Sequence, residues 1–134
     1  KINNFLFDKK TDEVLALIDL DTIMPGCVLS DIGDMIRTYS NPVGEESKEI
    51  DKVVCNMEII NTIIQEFTKK VALGKKEIEN LFFGGMAITF MQSVRFLTDY
   101  LNGDSYYKTS YKDQNLVRAK NQWALYKSFI IKAL

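Results

Sequence analysis

The sequence predicts a mainly α-helical protein with one small β-hairpin near its N-terminus. Two short runs rich in β-branched and aromatic residues flank a polar tetrapeptide at the start. From Met57 onward, apolar residues recur at helical spacing over long stretches, broken by few glycines and no proline. An internal repeat or low-complexity tract is not evident.

The hairpin is read from Asn4 to Asp8 and from Glu13 to Leu20, joined by Lys9-Lys10-Thr11-Asp12. A two-stranded hairpin is marginal in water, so it is expected to pack on the helices. Its second strand leads to Asp19 and Asp21. After the turn signal Pro25-Gly26, Ser30-Asp31 is expected to cap a short helix over Asp31 to Thr38. Ser40 to Lys48, with Asn41-Pro42 and Gly44-Glu45-Glu46, has the composition of a surface loop. Met57, Ile60, Ile63, Ile64, Phe67 and Val71 then mark a helix that Gly74 would end. Another apolar stripe predicts a helix from Lys75 to Leu101, interrupted at Gly84-Gly85, where close helix packing is expected. Asn102-Gly103-Asp104 breaks it, and an aromatic polar loop leads to a last helix over Asn115 to Ala133. Trp123, with Leu116, Tyr126 and Phe129 to Ile131, is assigned to the core.

A length of 134 residues suits one domain with a real hydrophobic core. Lys and Arg number 17 against 18 Asp and Glu, so no broad basic field draws in nucleic acid or anionic lipid. Cys27 and Cys55 stand alone, without the paired spacing of a zinc or redox site, and suit a reduced, cytoplasmic setting. No apolar run of about 18 residues is evident, and the first residues lack a signal-peptide layout, so the protein reads as soluble. The absence of histidine removes the Ser-His and Cys-His hydrolase mechanisms. Gly84-Gly85 does not join a strand to a helix, so it is not a phosphate-cradling loop.

Chemistry is expected first at Leu17-Ile18-Asp19-Leu20-Asp21, where two carboxylates alternate at a strand end and share a face. Like charges so close call for a cation, hydrogen-bond donors or solvent. Mg²⁺, a hard cation that prefers oxygen, suits the pair; a turn whose carboxylates face water or cap the next segment is the alternative, which spacing by itself favours. Asn4 enters the hairpin fifteen residues before Asp19, and hairpin pairing would bring the two together. An amide oxygen beside a carboxylate is how kinases of the protein-kinase type hold magnesium. Asp34 and Arg37, one turn apart, are expected to form an intrahelical ion pair. Arg95 lies in the longest apolar stripe and needs a partner, Asp99 one turn on being the nearest.

Three ordered runs carry a family resemblance: Ile2-Asn3-Asn4-Phe5-Leu6-Phe7-Asp8, Val14-Leu15-Ala16-Leu17-Ile18-Asp19-Leu20-Asp21 and Ser30-Asp31-Ile32-Gly33-Asp34. Together they resemble the core of the aminoglycoside phosphotransferase and choline kinase superfamily. Ile18 to Gly26, Asp34 to Thr38, Met91 to Lys108 and Asn115 to Lys120 are further similar to its N-acetylhexosamine 1-kinase branch. The likeness therefore covers nearly the whole chain.

The resemblance implies the C-terminal lobe of a protein-kinase-like fold, acting with ATP and Mg²⁺ on an alcohol group. Asn4 matches the last position of the family's H-x-D-x-x-x-x-N motif, so the catalytic aspartate is expected two residues before Lys1. Asn4 and Asp19 would hold the metal and nucleotide, and Asp21 would assist the metal or orient the base. Asp31 would brace the catalytic loop from behind, compatibly with a capping role. Arg95 and Tyr106 would face the sugar. Residues 1–134 then read as part of a longer protein, inactive alone and binding ATP weakly. Choline would call for an aromatic and acidic cage and an aminoglycoside for strongly acidic loops, whereas Asn102 to Tyr111 is aromatic and mildly charged. A neutral N-acetylated hexosamine fits better. A non-catalytic helical interaction module is the alternative from a different class.

Overall fold

The structure is a computed structural model that describes residues 4–21 and 23–134. Lys1 to Asn3 and Thr22 lie outside the described residues, and of these Ile2, Asn3 and Thr22 belong to the family-like runs. Strands β1 (Phe5–Phe7) and β2 (Val14–Leu17) precede helices α1 (Val28–Ser40), α2 (Met57–Lys70), α3 (Lys75–Glu79), α4 (Leu81–Leu101) and α5 (Gln114–Ala133). The chain is mainly helical with a single two-stranded antiparallel sheet among the described residues.

In the hairpin, Phe5 pairs with Leu17, Leu6 with Ala16 and Phe7 with Val14, the register slipping between Leu6 and Phe7. The turn is built by Asp8, whose Oδ1 accepts from the Lys10 and Thr11 N–H groups at 2.8 and 3.0 Å. Those N–H groups hold the Asp8 carboxyl below the usual carboxylate range. The hairpin does not pack on the helices as expected. Both of its faces are exposed, Val14 at 58% and Leu15 at 64%, because its apolar side chains meet no helix that covers them.

The helices form the packed body. Helix α4 runs against both α1 and α5, and Ile32, Ile36, Ile60, Leu81, Leu125 and Phe129 make the fully buried centre. The expected close approach at Gly84-Gly85 is present, inside α4 rather than interrupting it. A Cβ at Gly85 would lie 2.5 Å from Ile36 Cγ2, and one at Gly33 would lie 2.6 Å from the Gly84 carbonyl oxygen. Only glycine lets these two helix backbones come so near.

Three boundaries differ from expectation. Helix α1 begins at Val28 with Cys27 as its N-cap, placing Ser30 and Asp31 within the first turn instead of at the cap. Helix α2 stops at Val71, and Gly74 instead begins α3, where its N–H donates to Glu77 Oε2 at 2.7 Å. The span from Lys75 to Leu101 is two helices, broken at Asn80, whose backbone leaves the helical region and whose side chain donates to the Lys76 carbonyl at 2.7 Å.

Helix α4 also corrects the expectation about apolar runs. At 21 residues, with a mean hydropathy of 1.2 over its most apolar window, it is long and apolar enough to cross a membrane by length and composition. Here it is the helix on which α1 and α5 pack, and it carries Arg95 and the buried Asp99.

Candidate functional site

Two places collect the residues singled out by sequence. The first is the base of the hairpin. The Ile18 N–H donates to the Asn4 carbonyl at 2.8 Å, closing the strands, and the Asn4 side chain donates from Nδ2 to Asp19 Oδ2 at 3.0 Å. Fifteen residues apart in sequence, Asn4 and Asp19 thus touch because strand pairing brings them together. Asp19 stands at φ 63°, in the left-handed region that Asp and Asn tolerate better than other non-glycine residues. This turn aims the carboxylate back across the hairpin's mouth. Asp21 is exposed two residues further on, and Asp31 is exposed on α1.

The donor set fits a hard divalent cation. Asn4 spends its side-chain N–H₂ on one Asp19 oxygen, leaving its side-chain Oδ1 and the carboxylates of Asp19 and Asp21 as oxygen groups of the kind Mg²⁺ takes. Among the described residues no three acidic or Cys side chains gather closely enough to cage an ion. An ion held here would complete its shell from water and phosphate, as Mg²⁺ characteristically does.

The second place is a cleft of about 410 Å³, bordered by α1, the loop after it, α4, the loop after α4 and α5. Arg95 and Tyr106, assigned to substrate by resemblance, both line it. Arg95 does not pair with Asp99. Its guanidinium lies over the rings of Tyr106 and Tyr107, 5.8 and 5.6 Å from their centroids. Asp99 has better partners: its carboxylate accepts from the Tyr106 and Tyr107 N–H groups at 2.8 and 2.9 Å and from Asn115 Nδ2 at 2.9 Å. Burial by itself would raise the Asp99 pKa; the N–H groups of Tyr107, Tyr106 and Ser105 outweigh it and hold the group below the usual carboxylate range. Asp99 therefore positions the aromatic wall of the cleft, and Tyr107 accepts from Gln92 Nε2 through its hydroxyl at 3.1 Å.

The opposite wall is more extensive than an intrahelical pair. Arg37, only 4% exposed, donates from Nε to Asp34 at 2.9 Å and from Nη1 to Glu45 at 2.7 Å and Gln122 at 3.1 Å. Burial opposes its charge, but Asp34 and Glu45 overcome that and raise its pKa. The result ties α1, the following loop and α5 together. Nearby, Arg118 pairs with Glu46 and rests on the Phe96 ring. Asn121 fixes the same loop by donating to the Gly44 and Ser47 carbonyls at 2.9 and 3.1 Å.

Sequence reading missed Arg118, Gln92, Tyr107 and Lys108 as cleft-lining residues. Their one visible signal was polarity: Asn115, Asn121 and Gln122 occupy α5 positions that a purely apolar core would give to Leu or Ile. That polar face turns Trp123 away from the core, leaving it 45% exposed against Phe90 and Tyr126. Of its expected companions Phe129 is fully buried, whereas Ile130 and Ile131 are exposed. No protein-family model matches the chain.

Proposed function

We propose that this chain is the C-terminal lobe of an ATP- and Mg²⁺-dependent small-molecule kinase of the aminoglycoside phosphotransferase type, with an N-acetylated hexosamine as acceptor. The observation that carries this reading is the 3.0 Å contact between Asn4 and Asp19. It joins the two residues that the resemblance assigns to the metal, at the mouth of the hairpin that separates them in such kinases.

In this reading Asp19, helped by Asn4 and Asp21, would hold the metal, and bound Mg²⁺ would supply neutralisation of the charge that develops on the nucleotide phosphates. Positioning and electrostatics provide most of the catalysis in phosphoryl transfer, so the chain's contribution is to fix these oxygens. Asp31 braces this region from α1. The cleft takes the acceptor: Arg95 donates to hydroxyl or N-acetyl oxygens, and Tyr106, 73% exposed, offers its face to the sugar ring. The resemblance assigns the proton acceptor to none of residues 1–134. In the protein that supplies that aspartate, Asp19→Ala is expected to abolish most ATP-dependent phosphorylation of N-acetylglucosamine. Unimpaired turnover would contradict the metal assignment.

A further inference from the structure

Helix α4 carries a largely exposed apolar stripe, covered in part where Phe90 meets the Trp123 and Tyr126 rings. Phe83, Ala87, Phe90, Val94, Leu97 and Leu101 follow one another at steps of four and three residues, the spacing of a seam that packs against another helix. Phe83 is 54% and Leu101 73% exposed, and Phe90, Val94 and Leu97 are each more than two-fifths exposed. Beside the stripe, α4 and α5 enclose an apolar groove of about 450 Å³ with Val94, Leu97 and Leu116 as floor and Trp123 as wall. A concave groove beside a helical seam is the shape that takes the apolar face of an amphipathic helix.

Charge identifies the occupant. The first charged residue of α4 is Arg95, and the one carboxylate on α4 and α5 together is the buried Asp99. On α5, Lys120 borders the groove, and Lys127 follows two turns on along the face that carries Trp123. Both lysines are exposed, and neither has an acidic partner among the described residues. A second copy docked antiparallel through α4 would set this lysine row against its own equivalent, which like-charge repulsion opposes. We propose that the α4–α5 face docks an amphipathic helix of a partner protein, its apolar seam on α4 and the groove, its flanking Asp or Glu residues against Lys120 and Lys127.

The test uses Trp123, the single tryptophan, as reporter. A synthetic helical peptide as long as α4, with Leu at the seam positions and Glu beside them, is titrated into the chain alongside the same peptide with Lys in place of Glu. The expected result is a saturable blue shift of Trp123 emission, with the Glu peptide binding about tenfold more tightly at low salt. Leu97→Asp, at an exposed position that leaves the core intact, removes the shift, and Lys120→Glu with Lys127→Glu reverses the order of the two peptides. Equal binding of both peptides, or no shift with either, overturns the proposal. So does a doubled mass in light scattering that Leu97→Asp restores to monomer, which assigns the face to a second copy. The same shift with anionic phosphatidylserine vesicles overturns it in favour of a membrane surface.

Discussion

The hairpin and the α1–α4 pair hold their places by opposite means. Between α1 and α4 the backbones meet through Gly33, Gly84 and Gly85 with no room for a side chain, and Ile36 fills the remaining space. The hairpin has apolar side chains exposed on both faces and is fixed by its own ladder, the Asp8 turn and the Asn4–Asp19 clamp. The difference teaches that the packed body can be broken by adding one carbon branch, whereas the candidate metal pair depends on polar contacts that tolerate change around them.

The largest expected effect comes from filling the tight contact. Gly33→Val puts a branched side chain where the Gly84 carbonyl already stands 2.6 Å from an ideal Cβ, so stability should fall by about 3 kcal/mol or more, read as a lower urea midpoint with an unchanged slope. An intermediate effect lies in the loop that Asp99 anchors. Because the folded pKa of Asp99 is depressed, its contribution is fully present above the unfolded value of about 3.9 and is lost as pH falls through the lower folded value. Amide exchange at Tyr106 and Tyr107 should therefore accelerate below about pH 4 while the amides of Ile32 and Ile36 stay protected. Simultaneous release of both sets would mean the loop has no separate anchor. The smallest effect belongs to the hairpin face: Leu15→Ser, at an exposed strand position, should change stability by less than about 0.5 kcal/mol in the same urea experiment. A loss comparable to that of Gly33→Val would show that the hairpin packs against the helices after all.

Much of this contrast was legible in the sequence, and the exceptions have physical reasons. The hairpin, α2 and α5 announce themselves by period, and Gly84-Gly85 by standing inside an apolar stripe. The break at Asn80 was hidden because Ile78, Leu81 and Phe82 continue the stripe in helical phase, so periodicity does not register a change of helix axis. Ser30-Asp31 imitates a cap three residues inside the true start, where Cys27 takes the extended backbone of an N-cap without a side-chain bond. Arg95 and Asp99 have the spacing of an ion pair, yet spacing does not reveal that loop N–H groups outcompete a guanidinium for the carboxylate. Arg37 illustrates the same limit: Asp34 was visible one turn away, but Gln122 comes from 85 residues downstream. The Asn4–Asp19 contact was inferable because a hairpin makes its two ends neighbours.

Central to the functional reading is that Asn4 and Asp19 together bind a divalent cation, and Mn²⁺ in place of Mg²⁺ measures this directly by NMR line broadening. Broadening should centre on the Asn4 side-chain amide and the amides flanking Asp19, and should vanish in Asp19→Asn while the helices remain folded. Uniformly weak broadening, or broadening that survives Asp19→Asn, would contradict the account.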